Sequence, residues 1–462
     1  MERTTAKKNK YEIDMCNGTI MDKLISFSLP LMLSGILQLM FNAVDIIVVG
    51  RFSGSQALAA VGSTSALINV FTNLFIGISL GANVLTARFY AAGREKEVSE
   101  TVHTAITLAL VSGIVMALVG LVFSKGALAL MGTPDDVIGL SALYMRIYFL
   151  GMPFFMLYNY GAAILRAVGD TKRPLLFLMI AGVINACLNM VLVIVFKLGV
   201  AGVAIATVIS QMISCVLVLR CLCRSESSYR LRFSELGMKG YYLKQIFSVG
   251  VPAGIQSTVI NFSNVLLQSS VNSFGSTAMA GYTAANNLLG FLYVSVNSIT
   301  QACMSFTSQN YGVGKLKRMD RVLADCMILS VAVAVVLGCI CYGFGPEILQ
   351  IYTEDAEVIA CGMEILAYTT ITYFLCGWMD LFPGALRGMG YSAVPMVLSV
   401  IGTVGTRVVW IFGIFPYHRS LAILFISYPA SWIITIVLQV ICFYFVRRRV
   451  HRRSQVLAGQ EA

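Results

Sequence analysis

Residues 165–174, Leu165-Arg166-Ala167-Val168-Gly169-Asp170-Thr171-Lys172-Arg173-Pro174, are echoed 221 positions later by Leu386-Arg387-Gly388-Met389-Gly390-Tyr391-Ser392-Ala393-Val394-Pro395. The Leu-Arg pair, the glycine and the proline recur at identical spacing. The same offset carries Gly54-Ser55 onto Gly275-Ser276, Ala57 onto Ala278 and Ala59 onto Ala280, then Tyr90 and Gly93 onto Tyr311 and Gly314. It holds without a gap across about 120 residues; only Pro30 and Pro252 need a one-residue shift. Self-similarity at so long a period marks a duplicated structural unit.

Both copies are apolar. Hydrophobic residues make up 58% of the 462 and charged residues 12%, with a mean hydropathy of +0.80. That charge content is about half the ~25% of soluble domains, too little to cover a water-facing surface. A membrane span needs ~20 apolar residues. Twelve stretches qualify: 24–49, 57–87, 101–123, 138–163, 175–196, 201–219, 243–271, 278–307, 322–344, 358–383, 393–415 and 421–446. The first is too long for a signal-peptide core and lacks a small-residue cleavage site.

A net charge of +11 would suggest nucleic acid if it lay on a folded domain. Lys and Arg instead form short clusters between apolar runs, which points to anionic lipid. Alternate loops hold 27 and 4 of them, with Arg146 and Arg407 inside spans. The bias places both termini in the cytoplasm of a plasma-membrane protein and makes the span count even.

The expected organisation is a cytoplasmic segment 1–23, a six-helix bundle 24–219, a linker 220–242, a second bundle 243–446 and a basic tail 447–462. Six is even, so the copies share one orientation. The fold class is all-α membrane protein, with two six-helix bundles related by a pseudo-two-fold axis along the membrane normal, enclosing a central cleft. Parallel repeats of this kind supply two bodies that rock about a central site, as transporters require.

The twelve cysteines lie mostly in apolar runs and read as small hydrophobes. Cys221 and Cys223 have no histidine nearby, and His103, His418 and His451 are scattered, so no metal site and no cofactor is expected. No HExxH, GxSxG or paired intramembrane aspartates occur, which leaves little for a membrane-embedded enzyme.

The chain resembles the multidrug and toxic compound extrusion (MATE) family over roughly residues 20–446. Phe41-Asn42-Ala43-Val44-Asp45, Val49-Gly50-Arg51, Leu58-Ala59-Ala60-Val61-Gly62, residues 165–172 and the run Gly199-Val200-Ala201-Gly202-Val203-Ala204-Ile205-Ala206-Thr207 carry the resemblance. It implies antiport, substrate leaving as H⁺ or Na⁺ enters. In the branch with its ion site in the N-terminal bundle, the matching positions are Asp45, Asn185, Asn189 and Thr207, with Tyr144 and Asn159 on the fourth helix. Position 189 departs, since the family's second carboxylate is an amide here. Another branch uses a Glu on the seventh helix, but Val259-Ile260-Asn261-Phe262 has no acid.

The residues support a polar interior independently. A charge at mid-bilayer costs ~2.5–3.5 kcal/mol, so Asp45, Glu364 and Asp380 need partners or water. Asn42 and Asp45 share a helix face, as do Asn185 and Asn189. With Thr207 they offer one carboxylate and several neutral oxygens, suited to a hard cation or a proton. Burial among Val44, Ile46 and Ile47 is expected to desolvate Asp45. The alternative roles are a helix cap, a pair with Arg51, or interhelical packing.

In the second copy Asn261, Asn264 and Gln268, then Tyr293, Asn297, Gln301 and Ser305, form polar stripes that suit a substrate cavity or helix packing. Asp380 is expected either to pair with Arg407 in a structural role or, with Asn42, Tyr144 and Asn159, to line the substrate cavity, and Glu364 has no assigned role. The sequence therefore reads as a monomeric antiporter exporting amphipathic, cationic small molecules for H⁺ before Na⁺. A flippase for lipid-linked sugars is the alternative, disfavoured because the first half offers only Arg146 as a mid-span base.

Overall fold

The computed structural model describes residues 10–460; residues 1–9 of the N-terminal segment and 461–462 of the tail lie outside the described residues. The first half contains α1 (Met21–Phe52), α2 (Ser55–Ala91), α3 (Glu95–Leu130), α4 (Asp135–Leu150), α5 (Met152–Ala167), α6 (Lys172–Asn189), a π-helical turn Met190–Val195, and α7 (Gly199–Cys223). The second contains α8 (Gly240–Asn272), α9 (Ser276–Gly312), α10 (Leu316–Gly343), α11 (Gly345–Leu349), α12 (Ala356–Thr369), α13 (Tyr373–Gly388) and α14 (Ala393–Ser399). It continues through a π stretch Val400–Gly405, α15 (Thr406–Val409), a second π stretch Trp410–Ile414, and α16 (Leu421–Gln460). No strand occurs among the described residues.

The duplication is visible in the backbone. Helices α2 and α9, α3 and α10, α5 and α13, and α6 and α14 begin 221 residues apart. So do three pairs of glycines with positive φ: Gly54 and Gly275, Gly93 and Gly314, Gly169 and Gly390. Gly54 and Gly275 have φ near +90° and ψ near 180°, which only glycine accepts, and they start α2 and α9.

Eight single helices are long and apolar enough to cross a membrane, and two bent pairs each qualify as one span. Helices α8 and α9, at 33 and 37 residues, are as long but more polar, and complete twelve membrane-length rods among the described residues. Two of the expected uniform spans are broken, and a third departs from plain α-helix. The span expected at 138–163 bends by 47° between α4 and α5, where Pro153 lacks an N–H and clashes with the preceding turn. The span at 358–383 bends by 51° between α12 and α13. There Thr369, Thr370 and Thr372 donate their hydroxyls to Ile365, Leu366 and Tyr368 carbonyls, competing with the helix ladder. The span at 393–415 is about half π-helical, over Val400–Gly405 and Trp410–Ile414.

The chain forms two compact units, 1–13 with 33–254 and 14–32 with 255–462. The division falls two residues after Pro30 in α1 and two after Pro252 in α8. In unit 1 the core runs through α2–α7 and includes Phe149, Tyr160 and Leu165. Residues of the stretch 220–242, expected as the linker, pack on this unit. Tyr229 and Leu231 are buried, and the Arg232 amide donates to His103 Nε2 at 3.0 Å. Glu12 accepts from the Tyr90 and Tyr229 hydroxyls, both at 2.7 Å. In unit 2 the core includes Leu267, Leu366 and Phe425, and Arg318 and Lys315 hold the carbonyls of Met15 to Gly18.

Gly93→Ala and Gly169→Ala separate backbone strain from steric overlap. Each forces a side chain into the left-handed region, costing about 1–2 kcal/mol. A Cβ on Gly93 meets nothing, whereas one on Gly169 falls 2.6 Å from the Ile13 oxygen and 2.7 Å from its nitrogen. Gly169→Ala should melt below Gly93→Ala in a thermal scan of purified protein; equal melting temperatures would contradict this packing.

Candidate functional site

Three helices of unit 1 bring one carboxylate and three neutral polar side chains together. Helix α1 delivers Asp45. Helix α6 delivers Asn185 and Asn189, stacked one turn apart on a single face. Helix α7 delivers Thr207. The Phe41 ring lies against Gly182, where any Cβ would overlap it, so α1 and α6 meet closely one turn before Asp45.

The hydrogen bonds converge on the carboxylate. Asn189 Nδ2 donates to Asp45 Oδ1, and Thr207 Oγ1 lies 3.4 Å from Asp45 Oδ2. The Thr207 hydroxyl has one proton and also faces the Val203 carbonyl at 3.0 Å, so the two acceptors compete for it. Asn189 Nδ2 donates to Asn185 Oδ1 at 3.1 Å, and Asn185 Nδ2 to Thr207 Oγ1 at 3.4 Å. Asn185 and Asn189 are buried, and Asn189 Oδ1 has no hydrogen-bond partner among the described residues. An unsatisfied buried oxygen is costly and marks a place where a proton or cation is welcome. The π-helical turn begins at Met190, directly after Asn189. Such turns recur at functional positions because they re-aim the adjacent side chains.

The surroundings of Asp45 differ from the sequence expectation. Ile46 and Ile47 are 47% and 58% exposed, so they do not enclose the carboxylate. Successive helical residues point about 100° apart, and α6 and α7 cover Asp45 instead. Tyr144 is buried and stacks on Tyr148, with ring centroids 6.1 Å apart. Tyr148, one turn on, escaped the sequence reading although its spacing from Tyr144 signals a shared face. Asn42 is exposed, and Asn159 donates to the Phe155 carbonyl of its own helix at 2.8 Å. Neither joins the cluster.

Unit 2 keeps its polar stripes but not the expected ion pair. Gln301 donates to Asn297 at 3.1 Å and Gln268 to Asn272 at 3.2 Å. Asn261 and Tyr293 are exposed. Arg407 does not pair with Asp380. It donates to Asn264 Oδ1 at 2.7 Å and to Ser263 Oγ at 3.1 Å, with its guanidinium 4.7 Å from the Tyr428 ring centre. The π stretches on either side of α15 turn Arg407 toward α8 and α16. Arg387 donates to Gln256 at 2.6 Å and lies within electrostatic reach of Asp380.

Comparison with known proteins gives one consistent result. The sequence profile of the family described as MatE matches residues 30–191 and again 252–412, one match per copy. The probable multidrug resistance protein YoeA of Bacillus subtilis is 32% identical over 92% of this chain and 93% of its own length. The multidrug export protein MepA of Staphylococcus aureus is 22% identical over 82% of this chain and 84% of its own. Among solved structures, the outward-facing conformation of a multidrug resistance MATE family transporter superposes with a TM-score of 0.87. It covers 97% of this chain and 100% of that one, at 19% identity.

The geometry makes Asn189 the principal partner of Asp45. At alkaline pH, where Asp45 is ionised, Asn189→Ala should cost about 1.5–3 kcal/mol, the range for a hydrogen bond to a charged group. Asn159→Ala, which loses only a bond to its own helix, should cost under ~1 kcal/mol. Thermal unfolding of the two purified variants measures the difference; a smaller loss for Asn189→Ala would contradict the geometry.

Proposed function

Because the chain belongs to the MatE family, matched by profile in both halves and by a relative 32% identical over 92% of its length, we propose that it is a secondary antiporter. It exports amphipathic small molecules, cationic drugs among them, and admits H⁺ before Na⁺ in return. It works as a monomer in the plasma membrane with both termini in the cytoplasm. The names of the relatives supply the multidrug part of this reading. The observation that carries the coupling part is the meeting of Asp45 with Asn189, Asn185 and Thr207.

Asn189 favours the proton. An amide can serve either state of a neighbouring carboxyl, donating N–H to the carboxylate or turning to accept O–H from the acid. A second carboxylate would repel the ionised form of Asp45, and would add a negative charge for Na⁺ to balance. A lone carboxylate among amides and a hydroxyl holds a single exchangeable charge. The buried, unpartnered Asn189 Oδ1 suits an amide that turns in this way.

The energetics limit what one proton can do. Entry down 100 mV and one pH unit releases about 2.3 plus 1.4 kcal/mol. That sustains roughly a 500-fold gradient of a neutral substrate. For a monovalent cation the exchange is electroneutral, and only about tenfold remains. A permanent monocation should therefore accumulate no more than about tenfold in vesicles at one pH unit; a much steeper gradient would require more than one coupling ion.

Asp45→Asn tests the reading most simply. In reconstituted vesicles it should abolish gradient-driven efflux while substrate binding stays measurable. Asn189→Asp should shift the pH dependence or admit Na⁺ coupling. Normal efflux by Asp45→Asn at wild-type abundance would make Asp45 a structural residue and turn attention to Asp380.

A further inference from the structure

Unit 2 holds a second polar cluster within its helices, and its sign is reversed. The 221 offset lays Asn185 on Thr406 and Thr207 on Tyr428; the 222 register set by Pro30 and Pro252 lays Asn42 on Asn264 and Asp45 on Leu267. Leu267 is fully buried, so the acid has become a core side chain. Residues Val400–Gly405 are π-helical where the counterpart in α6 is plain α-helix. A π stretch takes in about one extra residue and so turns the residues after it by about 100°. Arg407 thereby comes round to the face that Asn185 occupies in unit 1. One contact agrees: it lies over Tyr428, the counterpart of Thr207, which Asn185 bonds in unit 1, and it also bonds Asn264 of α8.

The charge on Arg407 has only hydroxyl, amide and ring contacts among the described residues. The residue is 3% exposed, makes no ion pair with a carboxylate among the described residues, and its Nε has no acceptor. Besides Ser263 and Asn264, the groups facing it are Tyr428, Tyr282, Tyr373 and Cys376, all neutral. Arg387, the other buried arginine of this unit, has Asp380 to offset it. An uncompensated buried charge is strongly destabilising, and a guanidinium fork is matched best by a planar oxyanion.

We propose that Arg407 forms an anion subsite in unit 2 that takes the carboxylate of an amphipathic small molecule. That this molecule is exported cargo rests on the antiport reading above; that it is an anion does not. The two readings fit energetically. Each charge moved across 100 mV is worth about 50-fold. One entering proton then sustains roughly a 20,000-fold gradient of a monoanion, since both charge movements run down the potential, against about tenfold for a monocation. Of neutral, monocationic and monoanionic cargo, single-proton exchange drives the monoanion furthest.

The probes are 2-naphthoate and its neutral isostere 2-naphthamide, titrated separately onto the purified full-length protein. Melting temperature and tryptophan fluorescence are the readouts; Trp378, Trp410 and Trp432 all lie in unit 2. Naphthoate should bind the wild-type protein at least tenfold more tightly than the amide, and Arg407→Gln should erase that preference. Should Arg407→Gln fail to fold, Arg407→Met, uncharged and apolar, carries the same expectation. Equal affinity of the two probes for the wild-type protein would overturn the proposal, as would a preference that survives in either variant. Efflux is not measured, so the fate of Asp45→Asn and the fate of this subsite are decided separately.

Discussion

A carboxylate inside a hydrocarbon layer must be met by donors, because lipid offers none and an unmet charge is costly. Asp45 is met by Asn189 from α6 and Thr207 from α7. Much of the local architecture of unit 1 serves that meeting. Gly182 lets Phe41 approach, so α1 reaches α6. Asn185 bonds both Asn189 and Thr207, so the partners hold one another as well as the acid. A network spanning three helices changes as a whole when one proton or cation enters or leaves it. Such a change can bias one helix arrangement over another.

The duplication supplies a scaffold, and small backbone differences decide what each copy presents. The repeated glycines at 54 and 275, 93 and 314, and 169 and 390 hold the turns in the same unusual conformations. They preserve helix starts while the side chains within the helices diverge. In unit 1 an aspartate faces amides and a hydroxyl. In unit 2 a π stretch rotates an arginine into the corresponding place and a leucine replaces the acid. One backbone plan thereby carries an aspartate among amides in one unit and an arginine among hydroxyls and an amide in the other.

The fold was legible because its signals are coarse and redundant: apolar runs, the distribution of Lys and Arg, and an offset that recurs in glycines, prolines and tyrosines. The choice of Asp45, Asn185, Asn189 and Thr207 rested on the family resemblance and on shared helix faces, and these four side chains do meet. Other features were not readable. The phase of Arg407 depends on π-helical geometry at 400–405, and a sequence scan at a fixed 3.6-residue period assumes that geometry away. The Asp380–Arg407 pair was inferred from opposite charge alone, which says nothing about direction. The exposure of Ile46 and Ile47 follows from which side of α1 faces α6, and that is set by Gly182, more than a hundred residues distant in the chain. The bend at 369–373 has no proline to announce it and arises from three threonine hydroxyls in one turn.

Counting protons on substrate binding tests the role proposed for Asp45 most directly. Purified protein in weak buffer near neutral pH is mixed with a cationic dye substrate, and the released protons are measured with a pH indicator. One proton should leave the wild-type protein for each dye molecule bound, and none should leave Asp45→Asn although the dye still binds. Equal release by the two proteins, or none from the wild type, would contradict an exchange centred on Asp45.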